Sequence, residues 1–347
     1  MYKKIFMGIA AAAALTLVSC SSEDLNSLSD NSSKNEAISF DGYLGRSAVS
    51  VNGSRGSVLE IADLKTSTDG FGVFGNYSSK GTTTAYGENL FKNEQVKYST
   101  SSTSTNTNWT YTNTKYWPTE GHIDFLAYAP YDSKQVLKDN QKLDFTVSLT
   151  VKDQKDLLWA NAANKTKDDN PVKFTFNHAL AKIGYSLKQK EAYSKTTIKV
   201  TSIKLVGSDN TGAFYTKGTI DLSKANKGEN LWTTDDNVAK QNFDWFTGNQ
   251  ELTNDAANNA ADKNLFVIPQ DFSATTNKLF VVVEYTVKTG NTEELKNIVS
   301  KQITKNFEQG KAYMINLTIG LTPIEFDVDV ITDWDTTDGA IDINSWE

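Results

Sequence analysis

What most constrains this chain is an alternation of apolar and polar residues with period two, recurring from Ile38 to Trp334. Successive side chains of an extended backbone face opposite ways, so each such stretch buries one face and wets the other. Leu143, Phe145, Val147 and Leu149 alternate in this way, as do Val172, Phe174 and Phe176, and the run Ile324–Trp334. The run at 71–74, bounded by Gly70 and Gly75, reads as a short buried strand, and the apolar runs at 123–129, 265–268, 279–287 and 313–317 read as further strands. Asn, Asp and Gly clusters between them supply turns. The polar stretch from Thr233 to Lys263 reads as a surface excursion with one helical turn. Two groups of roughly seven strands, parting near residue 190, predict an all-β protein. It would comprise two β-sandwich domains in tandem, over 37–189 and 190–347.

The N-terminus carries a different signal. Lys3 and Lys4 precede an apolar run from Ile5 to Val18, which ends at Cys20. That layout is a secretory signal peptide, residues 1–19, too short for a stable membrane span. Its ending Leu17-Val18-Ser19-Cys20 resembles the lipobox of bacterial lipoproteins, in which the cysteine sulfur is acylated. An ordinary signal peptide with a chance cysteine is the alternative, but Cys20 is the sole cysteine of the chain. The resemblance makes Cys20 the lipidation site and an outer-membrane lipid its first partner. Residues 20–36 are rich in Ser and Asn and read as a flexible tether. Glu23-Asp24 behind the cysteine resembles a surface-export signal, or is part of a generic polar linker.

The 35 basic and 42 acidic residues give a net charge of −7. They form no basic stripe, so nucleic acid is not an expected partner. Catalytic machinery is not visible. His122 and His178 stand apart from any zinc-binding spacing, and neither a nucleophile elbow nor a phosphate or dinucleotide loop occurs. Asp168-Asp169 and Asp235-Asp236 lie in turn-rich stretches without calcium-loop spacing. No catalytic residue, metal ligand or cofactor is therefore assigned. A glycosidase needs only two carboxylates brought together by the fold and escapes this screen. Trp109, Trp117, Trp232 and Trp245 could instead form glycan platforms on a lipid-anchored binding protein, although packing is the commoner fate of tryptophan.

All but two of the basic residues are lysine. Arg46 and Arg55 sit in Gly45-Arg46-Ser47 and Ser54-Arg55-Gly56, small-residue settings open to a protease. A cut at either would excise the first strand, with Ile38, Phe40 and Leu44 as its displaced apolar residues, and leave a groove between unpaired edges. At the other end, Ile324-Glu325-Phe326-Asp327 echoes Ile38-Ser39-Phe40-Asp41. A neighbour's tail, from about residue 322 to 347, could fill that groove through Ile324, Phe326, Val328, Val330 and Trp334. Burying four such side chains would contribute about 6–12 kcal/mol gross, before ordering and association costs. Head-to-tail exchange of unlike surfaces does not close, so its product is a filament.

At this point the chain resembles the fimbrillins, or type V pilins, of Bacteroides-like bacteria. The likeness is carried by the lipobox, Ile38-Ser39-Phe40, Phe71-Gly72-Val73-Phe74-Gly75, Tyr116-Trp117-Pro118 and Asp124-Phe125-Leu126-Ala127-Tyr128-Ala129-Pro130. Further along come Asp156-Leu157-Leu158-Trp159-Ala160, Phe176-Asn177-His178-Ala179-Leu180-Ala181-Lys182-Ile183, Val267-Ile268-Pro269-Gln270, Asp333-Trp334 and Trp346. The resemblance implies transthyretin-like sandwiches, export as a lipoprotein, removal of the leading segment by an arginine-specific protease, and assembly through donated C-terminal strands. Arg46 matches the cleavage position best, Arg55 second. The expected function is a non-enzymatic subunit of a cell-surface fimbria serving adhesion or biofilm formation. Its expected partners are its own or related subunits and a host or bacterial surface ligand.

Overall fold

A computed structural model describes residues 36–44, 61–100, 108–224, 230–259, 263–273, 276–321 and 325–333, with backbone alone at 44, 61, 210, 258 and 325–333. Strands of the first half are β1 (Phe40–Leu44), β2 (Phe71–Ser78), β3 (Phe91–Tyr98), β4 (Trp109–Thr110), β5 (His122–Ala129), β6 (Lys142–Thr146), β7 (Leu158–Lys165), β8 (Val172–His178) and β9 (Ala181–Gln189). The second half adds β10 (Thr196–Val206), β11 (Lys217–Asp221), β12 (Trp232–Thr234), β13 (Phe243–Glu251), β14 (Ala257–Asn258), β15 (Leu265–Val267) and β16 (Gln270–Asp271). It closes with β17 (Leu279–Thr289), β18 (Leu295–Ile303), β19 (Asn306–Phe307), β20 (Lys311–Ile319) and β21 (Glu325–Asp333). Among the described residues a short α-helix, α1 (Ile61–Thr66), lies between β1 and β2. The protein is all-β.

The largest sheet has seven strands in the order β1-β8-β7-β5-β2-β3-β4. All eight residues of β5 are buried, because both faces of its sheet are covered. Ile123, Phe125, Ala127 and Ala129 enter one core with residues of β1, β2, β3, β4, β7 and β8. Leu126 and Tyr128 enter a second, larger core. That second core is built mainly from two facing sheets, β13-β10-β17-β18 and β14-β9-β20-β21. Ile198, Val200, Ile203 and Leu205 of β10 face it, as do Leu279, Val281 and Val283 of β17 and Tyr313, Ile315 and Leu317 of β20.

Pairing crosses the midpoint of the chain. β9 ends at Gln189, yet its ladders run to β14, β15 and β20, all later in sequence. β6 pairs with β11, Leu143 opposite Ile220. The stretch expected to be a surface excursion contains β13, whose Phe243 and Trp245 are buried while Thr247–Glu251 are exposed. A bulge against β10 allows this, and the polar far half hid the strand's alternation. The expected alternation Leu143–Leu149 ends sooner: β6 stops at Thr146, and Leu149 is half exposed.

The four tryptophans considered as glycan platforms are packed instead. Trp109, Trp117, Trp232 and Trp245 are each at most 6% exposed, which withdraws the platforms of the glycan-binding alternative. The indole N–H of Trp232 donates to the carbonyl of Ala179 at 2.8 Å, where the chain passes from β8 to β9. We expect Trp232→Phe to keep the packing, lose that bond, and destabilise the protein by about 1–3 kcal/mol in urea denaturation. An unchanged midpoint would show that the bond adds nothing to stability.

Candidate functional site: the seat of the first strand

β1 occupies an edge of the seven-stranded sheet and runs parallel to β8, from Phe40 opposite Val172 to Leu44 opposite Phe176. Just ahead of it the chain leans on another segment. The Ile38 amide donates to the carbonyl of Lys115 at 2.8 Å, and the Trp117 amide donates to that of Glu36 at 3.0 Å. Asn170 holds the outer side: its Oδ1 accepts from the amide and hydroxyl of Ser39, both at 2.9 Å, and its Nδ2 donates to the carbonyl of Ala37 at 3.0 Å. The first strand thus lies between β8 and the 115–117 segment. Its loss would expose backbone groups on both.

Alternation decides what it buries. Ile38, Phe40 and Gly42 face the core, while Asp41 is half-buried and Tyr43 is exposed. The Phe40 ring lies 5.5 Å from the rings of Phe91, Tyr111 and Phe125, and 5.7 Å from that of Phe174. The Tyr111 hydroxyl donates to the carbonyl of Ile38 at 2.9 Å, and burial holds its proton well above the usual phenol range. Outside, the Tyr43 hydroxyl donates to Asp41 at 2.5 Å, a bond that raises its pKa.

Gly42 is the shallow point of this seat. A Cβ placed there would lie 3.5 Å from the ring of Phe176, 3.6 Å from Trp109 and 3.7 Å from Phe71. A methyl group there fits at ordinary contact with all three rings. The sequence flagged the leading strand, but not these residues that receive it. Their signal was the alternation of Phe174 with Phe176, which marked a buried face without showing what it faces.

At the opposite end, β21 is the edge strand of its own sheet, antiparallel to β20. Phe326, Val328 and Val330 lie opposite Leu317, Ile315 and Tyr313 in the backbone register. Cys20, Arg46, Arg55, Ile324 and Trp334 lie outside the described residues.

Other sites of potential chemistry have structural partners. His178 Nδ1 lies 2.7 Å from Asp156 and His122 Nε2 lies 3.1 Å from Asp124, both pairs buried. Asp124 also accepts from the amides of Ala85 and Asn164. Asp169 closes a capping box with Thr166, and Asp236 accepts from the Tyr215 hydroxyl. Among the described residues no His, Cys, Asp and Glu cluster could hold a metal, and no helix is long and apolar enough to cross a membrane.

Comparisons with known proteins agree with this architecture. Fimbrium subunit Fim1C of Phocaeicola vulgatus is 26% identical, the alignment covering 96% of this chain and 97% of that one. A crystal structure of a fimbrial protein from Bacteroides vulgatus superposes with a TM-score of 0.60 at 23% identity, over 86% of this chain and all of that one, and shares the fold. The model of the fimbrillin-like family, one of fimbrial structural proteins rather than enzymes, matches residues 61–334. With that match spanning most of its length, the chain belongs to the fimbrillin-like family.

Proposed function

We propose that this chain is a structural subunit of a cell-surface fimbria, exported as an outer-membrane lipoprotein through Cys20 and made competent for assembly by proteolysis. An arginine-specific protease cuts after Arg46, or after Arg55, and β1 leaves with Ile38, Phe40 and Leu44. The vacated seat then takes a ribbon from the C-terminal region of another subunit, about residues 322–347. On sequence, Ile324, Phe326, Val328, Val330 and Trp334 are the expected donated face. The filament so built serves adhesion or biofilm formation, with its own or related subunits as partners and a surface ligand beyond them. We read the expected 37–189 domain, apart from β9 in the sheet of β20 and β21, as the accepting unit and 190–347 as the donating one.

One observation carries this reading. An edge strand that completes an aromatic core is followed, within two residues of its end, by one of the two arginines of the chain. A strand needed permanently would gain nothing from a protease-accessible sequence at its border.

The mature N-terminus tests it. Mass spectrometry of the protein released from the bacterial surface should find a chain beginning after Arg46 or Arg55. The double variant Arg46→Ala, Arg55→Ala should keep its acylated Cys20 and form no fibres. Fibres of normal length from that variant would remove proteolysis from the assembly route.

A further inference from the structure

We propose that a cavity of about 630 Å³, where β3 and β5 meet β6 and β11, binds a neutral pyranose sugar. This gives the surface ligand of the reading above a chemical class and a place, and rests on that reading only for where the sugar is met. The volume falls in the range of small-molecule sites, about 300–1,000 Å³. The floor is apolar: Tyr128, Leu143, Leu157 and Ile220 line it, all members of the second core. Phe40 belongs to the first core, as does Phe125 of β5. The cavity and the seat of β1 therefore lie on opposite faces of the seven-stranded sheet.

One wall is fixed before any ligand arrives. Asn93 Nδ2 donates to the carbonyls of Asp132 and Gln135, at 2.9 and 3.0 Å. The Tyr128 hydroxyl lies 2.8 Å from Asn93 Oδ1 and accepts from the Asp132 amide at 3.2 Å. The Tyr131 amide donates to the carbonyl of Gly70 at 3.2 Å. These bonds hold the segment after β5 in one place, and a wall already in place loses little freedom when a ligand binds.

The rim supplies the polar chemistry. Tyr131 and Phe145 are half-buried and line the cavity, and the C–H face of a pyranose packs on such rings. Trp232 braces the Phe145 ring edge-on, at 6.0 Å between centroids. The Asp69 carboxylate, the Tyr131 and Ser133 hydroxyls and the Lys155 ammonium also line the cavity, and none of the four bonds to another described residue. Asp132 accepts the Lys134 amide on Oδ1 at 2.9 Å, which leaves Oδ2 open. Carboxylates accept from sugar hydroxyls, while hydroxyl and ammonium groups donate to them. An apolar floor under such a rim matches a ring edged with hydroxyls. Charge narrows the class further. Asp144 is paired with Lys138, so Asp69 and Asp132 outnumber Lys155 and leave the rim net negative. A sialylated or sulfated glycan would set like charge against it.

Calorimetric titration of the intact, uncut protein tests this, with saturation-transfer NMR as a second readout. The probes are neutral trisaccharides ending in glucose, galactose, mannose or N-acetylglucosamine, each compared with the same probe ending in a uronic acid. We expect at least one neutral probe to bind with a Kd of about 1 mM or tighter, and its acidic counterpart about tenfold more weakly. Asp69→Asn and Tyr131→Ala should each weaken binding about tenfold or more, the scale of a lost hydrogen bond to a charged group or a lost ring contact. Ser133 is exposed, so Ser133→Trp should keep the urea midpoint and block the cavity mouth. Failure of every neutral probe to bind, or full affinity in Ser133→Trp, would overturn the site. Tighter binding of the acidic counterpart would overturn the neutral class. Neither result bears on strand exchange, because the protein is uncut, and a failure of strand exchange would leave these titrations unchanged.

Discussion

Phe40→Ala is expected to cost the uncut protein about 3–5 kcal/mol, the range for losing a fully buried aromatic side chain. Phe40 has no exposed surface, and four rings lie within 6 Å of its own. Removing it leaves a void that those rings cannot readily close, since they also pack on one another: Phe91 lies 5.6 Å from Phe125 and 5.7 Å from Tyr111. Urea denaturation of the uncut chain measures the loss. The exposed Leu149→Ala serves as control and should stay within about 0.5 kcal/mol. If assembly proceeds by the proposed exchange, the same substitution should be invisible in finished filaments, because the altered residue would depart with β1. It should also speed assembly after the cut, since a weakened strand leaves sooner. A stability loss below about 1 kcal/mol would mean that β1 is not integral to the core, against its complete burial.

Asp156→Ala is expected to cost a similar amount, about 3–5 kcal/mol, by a different route. Asp156 and His178 are both buried, and the carboxylate lies 2.7 Å from His178 Nδ1. Its other oxygen accepts from the Leu157 amide at 2.8 Å. Truncation therefore removes the carboxylate from two buried N–H groups at once, and an unmet buried donor costs more than a typical bond contributes. The pair stands where β7 begins and β8 ends, with Leu158 opposite His178. Asp156→Asn keeps an acceptor for Leu157 and should lose less. A double-mutant cycle with His178→Ala measures the coupling. Additive losses would show that the two side chains do not act as a unit.

These two sites differ in how far the sequence exposes them. Phe40 stands in a short apolar alternation after a polar tether, so its strand and inward face are readable. The rings that receive it come from β3, β5, β8 and Tyr111, and no local pattern says that these converge. Asp156 and His178 lie 22 residues apart, so proximity between them is a property of the fold. Strands with a continuous apolar face, such as β8, β17 and β20, are legible because burial imposes period two. β18 is not, since most of its residues are exposed and it lines the edge of its sheet. β13 is half legible, as its first residues enter the core and the rest do not. The tryptophans mislead for a related reason: an indole among polar neighbours looks like a surface platform until the second face of its sheet is known to be covered.

The register of β9, β20 and β21 also has a mechanical meaning. Lys182 lies opposite Ala312, and the adjoining Lys311 lies opposite Asp333. The link from β8 into β9 and the last described residue of β21 therefore sit at the same end of one sheet, two strand widths or about 10 Å apart. In a fibre strung through β8 and the tail, tension would enter and leave each subunit across that short span. The β11–β12 hairpin and the sheet holding β13 and β18 would hang beside the load line, where their surfaces can diverge without weakening the cable.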